Sequence, residues 1–168
     1  NGIADEVELV VESNLFDGMV MLSTCDSIVP GHLMAAARLD IPTILVTGGY
    51  MPMPFLDGKS ANYIELTDHV GQVMRGCYSR AAAEREVERM YTPCGACGVM
   101  TTANSMCLAA EALGMTMPGN GCMSAVSSEL LQTAYLAGKQ IMKLLADGIT
   151  ARKIITPEAV DNAIAMTM

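Results

Sequence analysis

Apolar residues recur at two spacings along this chain, and the switching between them outlines the fold. Val7, Leu9, Val10 and Val11 stand among Asp5, Glu6, Glu8 and Glu12 and predict a first helix over Ala4 to Ser13. Phe16-Asp17-Gly18 is a turn. Met19 to Leu22 is a short unbroken apolar run, the pattern of a parallel strand buried on both faces. Pro30-Gly31 opens a second helix, His32 to Leu39, because proline is favoured in a first helical turn. Asp40 ends it, and Ile41 to Thr47 reads as a second strand. Helix, strand, helix, strand with short connections predicts a βαβ unit and an α/β domain with a parallel sheet.

The rest of the pattern is mostly helical. Tyr50 to Ala61 is rich in proline and glycine and reads as a loop over the strand ends. Tyr63 to Tyr78 is weakly helical. Ser79 to Met90 predicts an exposed helix, with Ser79 as its cap and its charges on a solvated face. The stretch Tyr91 to Gly121 opens on Cys94 and Cys97 and continues into a helix from Thr101 to Leu113. Gly114 stands where a left-handed cap belongs. Met117 to Gly121 is a tight loop, Ser127 or Ser128 caps a long helix through Asp147, and Pro157 starts a last one. Neither end carries an obvious opening or closing element, so residues 1–168 are expected to be one α/β domain that is an incomplete piece of a larger one.

Composition narrows the function classes. Of 168 residues, 51% are hydrophobic and only 17% charged, which suggests that something else covers much of the surface. A net charge of -8 argues against nucleic acid, whose phosphates require clustered Lys and Arg. No apolar run approaches the ~20 residues that span a bilayer, and no signal peptide is visible. Six cysteines in a chain of this length do not form a secreted disulfide scaffold. A reducing, cytoplasmic compartment fits better.

Candidate chemistry concentrates at two places. Cys25-Asp26 follows the first strand, where parallel sheets bind ligands. A soft thiolate beside a hard carboxylate suits two different metals, one thiophilic and one oxygen-loving. Cys97 lies at or just before a helix start, which biases a thiol toward the thiolate. Such a thiolate is a metal ligand, a nucleophile or a redox group. Gly48-Gly49, Gly95, Gly98, Gly119 and Gly121 allow close backbone approach or simply make turns. Cys77 and Cys107 fall in helical patterns and read as core, Cys122 is undecided, and His32 and His69 read as isolated surface or capping residues.

Two blocks, CDSIVPGHLMAAARLDIPTILVTGGYM and PCGACGVMTTANSMCLAAEALGMTMPGNG, resemble the dihydroxy-acid dehydratase and phosphogluconate dehydratase family. The resemblance runs from about Glu6 to the end, within the family's N-terminal domain. It implies a hydro-lyase that dehydrates a 2,3-dihydroxy carboxylic acid, an amino-acid precursor or a sugar acid, to a 2-keto acid. It implies a homodimer of two-domain subunits, here a parallel sheet flanked by helices in three layers. It implies an iron–sulfur cluster, 2Fe-2S or 4Fe-4S, on three cysteines, and a Mg²⁺ ion. By the resemblance Cys25 and Cys97 hold the cluster and Asp26 holds Mg²⁺. A third cysteine is expected upstream of Asn1, and the catalytic base and another acidic ligand beyond Met168. The family often has a carbamylated lysine after Cys-Asp; this chain has Ser27, which is expected to leave a weaker Mg²⁺ site. Cys94 is not general to the family. A thioredoxin-like oxidoreductase using Cys94 and Cys97, or a non-catalytic metal-binding domain, are the alternative readings.

Overall fold

The structure is a computed structural model that describes residues 1–56, 58–61, 63–90 and 94–168, without the side chains at 63 and 65. The opening of the cysteine-bearing stretch, residues 91–93, lies outside the described residues. In chain order the elements are α1 (Gly2–Asn14), β1 (Met19–Ser23), α2 (Ile28–Leu39), β2 (Thr43–Thr47), β3 (Phe55–Leu56), β4 (Lys59–Ser60), α3 (Tyr63–Met74), α4 (Arg80–Met90), α5 (Thr102–Ala112), α6 (Ser128–Ala146), α7 (Ala151–Ile154) and α8 (Pro157–Thr167).

β1 and β2 pair in parallel, from Met19 opposite Thr43 to Ser23 opposite Thr47. On the far side of β2 the Leu45 N–H donates to the Met115 carbonyl at 2.8 Å, and Leu45 bridges to Thr116 in parallel. Among the described residues, then, β2 is central and β1 lies at the edge. α2 is longer than the sequence pattern predicts. It begins at Ile28, which places Pro30 third in the helix, where its missing N–H has no partner to lose. Asp40 ends it in the left-handed region, φ 51°, and its N–H donates to the Ala36 carbonyl.

Two apolar clusters sandwich the strands. Met19 and Met21 of β1 and Leu45 of β2 pack with Val11 of α1, Val29 and Leu33 of α2, and Cys107 and Ala110 of α5. Ile44 and Val46, on the other face of β2, meet Ala137 and Leu144 of α6. The expectation that β1 is buried on both faces is corrected: Val20 and Leu22 are 38% and 67% exposed. The cluster that α6 forms includes β2 and no residue of β1, and α6 approaches β1 without burying Val20 or Leu22.

The Tyr50 to Ala61 loop contains the small antiparallel hairpin of β3 and β4. Ala61, Leu66 and Met90 form a separate small core with α3 and α4. Three expectations fail there. Glu86 of α4 does not sit on a solvated face: it accepts from the Tyr78 hydroxyl at 2.5 Å and lies 2.7 Å from His69 Nδ1, with His69 stacked on Tyr78. His69 is therefore not isolated, and Cys77, past the end of α3, is exposed rather than core. α8 follows the reading closely, with Pro157 in its first turn and the Thr156 hydroxyl accepting from the Ala159 N–H.

Candidate metal centre

The site is assembled at the carboxyl ends of β1 and β2. Ser23, the last residue of β1, is fully buried, and its hydroxyl lies 2.8 Å from His32 Nδ1 on α2. The Ser23 carbonyl accepts from the Gly48 N–H at 2.9 Å. The next residues, Thr24 to Ser27, form the turn into α2. Asp26 adopts φ 48°, a left-handed conformation that aspartate tolerates better than most residues. The Ile28 N–H closes the turn on the Cys25 carbonyl at 3.1 Å. Cys25 is half-buried, while Asp26 and Ser27 are exposed. Ser27 occupies the cap position of α2, yet its side chain makes no capping bond. Its hydroxyl is uncommitted to the helix.

The exit of β2 ties this turn to the second cysteine. Gly49 has φ 77°, and a Cβ there would lie 2.6 Å from the Ala125 nitrogen and 2.8 Å from the Met123 carbonyl oxygen, so only glycine fits. Tyr50 is then hydrogen-bonded on both sides. Its N–H donates to Met123 and its carbonyl accepts from Ala125, while Ala96 donates to Gly49 and accepts from Met51. The Ala96 bonds carry Cys97 to the same end of the sheet. Cys97 is half-buried, with Sγ 3.7 Å from the Thr101 hydroxyl.

One expectation about Cys97 is corrected. α5 starts at Thr102, so a short loop separates Cys97 from the helix N-terminus, and a dipole effect confined to the first turn reaches it only weakly. A side chain that the sequence reading passed over holds that loop. Asn104 Nδ2, within α5, donates to the Cys97 carbonyl at 2.8 Å and the Val99 carbonyl at 2.7 Å.

Two further polar side chains were also missed, and both shape the loop after α5. Asn120 is completely buried. Its Oδ1 accepts from the Thr47 N–H at 2.8 Å and the Thr116 hydroxyl at 2.7 Å, and its carbonyl accepts from the Thr47 hydroxyl at 2.8 Å. Glu111 accepts from the Gly119 and Gly121 N–H groups, one on each carboxylate oxygen. In sequence these residues look like a turn asparagine and a solvent-facing helix glutamate. Only spacing against Thr47, 73 residues earlier, could have identified the first.

The other thiols separate by environment. Burial pushes the Cys107 thiol up to about 11, opposed by a hydrogen bond with the Thr47 side chain and reinforced by nearby Cys25 and Cys122, so it stays protonated at neutral pH. That agrees with its reading as core. Cys94 and Cys122 are exposed. All six cysteines are free. Among the described residues, no group of three or more His, Cys, Asp or Glu side chains converges to hold a metal ion. No helix among them is long and apolar enough to cross a membrane.

Residues 1–168 match the family described as dihydroxy-acid/6-phosphogluconate dehydratase N-terminal. The chain belongs to that family. It is 42% identical to dihydroxy-acid dehydratase 1 of Methanosarcina acetivorans, over 99% of this chain and 30% of that protein. It is 46% identical to the dihydroxy-acid dehydratase of Halothermothrix orenii and 45% identical to that of Desulfosudis oleivorans, with the same coverage of each. The chain therefore spans about a third of the length of these relatives.

His32 supports a pH prediction. Far from being an isolated surface residue, it is half-buried against Ser23, and burial lowers its pKa below the usual 6.5. The folded state then prefers neutral imidazole. Below pH ~6.5 the unfolded chain takes up the proton first, so stability falls as pH drops from 6.5 through the lower folded value. Melting curves at pH 7.5 and 5.5 should show a loss that a His32→Gln variant lacks; equal losses in both would remove His32 from the explanation.

Proposed function

We propose that residues 1–168 are the part of an iron–sulfur-dependent hydro-lyase that holds two cluster ligands and one Mg²⁺ ligand. The reaction is dehydration of a 2,3-dihydroxy carboxylic acid to a 2-keto acid. The observation that carries this reading is that the Cys25-Asp26 turn and the Cys97 loop hang from the same strand ends, joined through Gly48, Gly49 and Ala96. Family membership supports it, and the relatives' name favours a dihydroxy acid over a phosphorylated sugar acid. It does not favour the thioredoxin-like alternative.

The donors suit the groups. Cys25 and Cys97 are free, half-buried thiols, the soft ligands that iron–sulfur clusters take. Asp26 is an exposed carboxylate, the hard oxygen ligand that Mg²⁺ takes. Cluster and ion, when bound, would supply Lewis acidity toward the oxygens of the substrate. The chain's own residues position the donors. The left-handed Asp26 sets Cys25 and the carboxylate on one tight turn, Asn104 holds the Cys97 loop, and the Ser23–His32 bond fixes the end of β1 beneath them. Two cysteines and one carboxylate do not complete either set, so the remaining donors and the base come from elsewhere in the protein. The same reading includes a three-layer domain in a two-domain subunit, a homodimer, and a reducing cytoplasm that keeps the thiols free.

The test is to purify the full-length protein without oxygen and assay 2-keto acid formation from branched-chain dihydroxy acids and from sugar acids. Visible iron–sulfur absorption with turnover is expected. A colourless protein with a redox-active Cys94–Cys97 pair would favour the thiol oxidoreductase instead.

Ser27 modulates this reading. A neutral hydroxyl replaces an anionic ligand, and water fills the vacancy readily because Mg²⁺ keeps its waters. The protein should need more Mg²⁺ than a carbamylated Ser27→Lys variant, on the order of tenfold more. Calorimetric Mg²⁺ titration of both proteins decides; equal or tighter binding by the natural serine would sink the idea.

A further inference from the structure

The Cys97 sulfur faces a hydroxyl. Its Sγ lies 3.7 Å from Thr101 Oγ1, within hydrogen-bond reach for sulfur. Thr101 occupies the cap position of α5, with extended backbone at φ -117° and ψ -159°. Threonine in that position ordinarily turns its hydroxyl onto the free N–H groups of the first helical turn. Here it makes no capping bond. The backbone of Thr101 is committed elsewhere. Its N–H donates to the Val99 carbonyl at 2.9 Å, and its carbonyl accepts from the Ser105 N–H at 3.0 Å and the Ser105 hydroxyl at 2.8 Å. The side chain is left to the thiol.

The loop between the two residues is held on both sides. Asn104 donates to the Cys97 and Val99 carbonyls. Gly98 packs so closely on Met53 that a Cβ there would lie 2.8 Å from its sulfur. The approach of Thr101 to Cys97 is therefore set by the backbone. A free thiol and a hydroxyl can each donate to the other. A thiolate on iron has no proton to give, so the hydroxyl then donates and the sulfur accepts.

We propose that Thr101 is a positioning residue for the cluster, whose hydroxyl donates to the Cys97 sulfur and raises the reduction potential. Its role rests on Cys97 being a cluster ligand, as proposed above. Hydrogen bonds to the sulfurs are among the factors that set such potentials. The bond strengthens as the sulfur gains charge, so it favours the reduced form. A sulfur held this way also gives less charge to iron, which sharpens the Lewis acidity that dehydration draws on.

The test is a redox titration, followed by visible absorption, of the full-length protein purified without oxygen and of its variants. Thr101→Val removes the hydroxyl at nearly constant shape and breaks no capping bond, so iron content and melting temperature should match the wild type. At a fixed potential its reduced-to-oxidised ratio should fall about tenfold, equivalent to ~59 mV in a one-electron couple. Thr101→Ala, which also lacks the hydroxyl, should follow valine. Thr101→Ser keeps the hydroxyl and should titrate with the wild type. A wild-type midpoint in Thr101→Val or Thr101→Ala overturns the inference while leaving Cys97 a ligand, and so does a Thr101→Ser midpoint that follows valine. A wild-type protein without iron–sulfur absorption overturns the reading of Cys97 and this inference with it.

Discussion

On the proposed assignment, replacing Cys25 or Cys97 by serine in the full-length protein is expected to remove bound iron and sulfide, and replacing Cys94 to leave both in place. Cys25 and Cys97 are the half-buried thiols tied to the strand ends, whereas Cys94 is exposed. Serine oxygen is harder than thiolate and a poor substitute on iron. Both changes are nearly isosteric, so the fold has little reason to fail. Iron and sulfide should fall by roughly tenfold or more for Cys25→Ser and Cys97→Ser, given that second-shell changes alone cost 10–100-fold at metal sites. Circular dichroism separates cluster loss from unfolding. Retention of iron by Cys97→Ser together with its loss from Cys94→Ser would reverse the assignment of the two loop cysteines.

Asn120→Ala is expected to be the most damaging change outside the thiols. One alanine orphans the fully buried Thr47 N–H and the Thr116 hydroxyl and leaves a cavity. Each unsatisfied buried group costs about 1–3 kcal/mol, so the loss should total about 3–5 kcal/mol, a large share of a domain's usual margin. Thr116→Val, which removes one hydroxyl and keeps the shape, should cost no more than about 1.5 kcal/mol. Denaturant unfolding of both variants measures the difference. A cost for Asn120→Ala as small as that for Thr116→Val would mean that the network does not hold the loop. The change also loosens the Met117–Gly121 loop at the end of β2, although the Thr47 hydroxyl can still donate to the backbone carbonyl of residue 120, so cluster retention should fall with stability.

The sequence by itself determined the secondary elements whose signals are local. β1, α2 and β2 followed from apolar runs punctuated by Pro30 and Asp40, and the ends of α5 and α6 from Gly114 and Gly148, because caps and left-handed positions are written in single residues. The two cysteine blocks were legible for the same reason, as short motifs at the ends of those elements. Tertiary structure decided what depends on distant neighbours. Asn120 pairs with Thr47, Glu86 with His69 and Tyr78, and Ser23 with His32, and none of these partnerships has a local signature. The apolar run of β1 announced burial on both faces, but burial is a property of the surroundings. α6 covers β2, β1 lies at the edge of the described sheet, and Val20 and Leu22, which read as core in the sequence, stand exposed here.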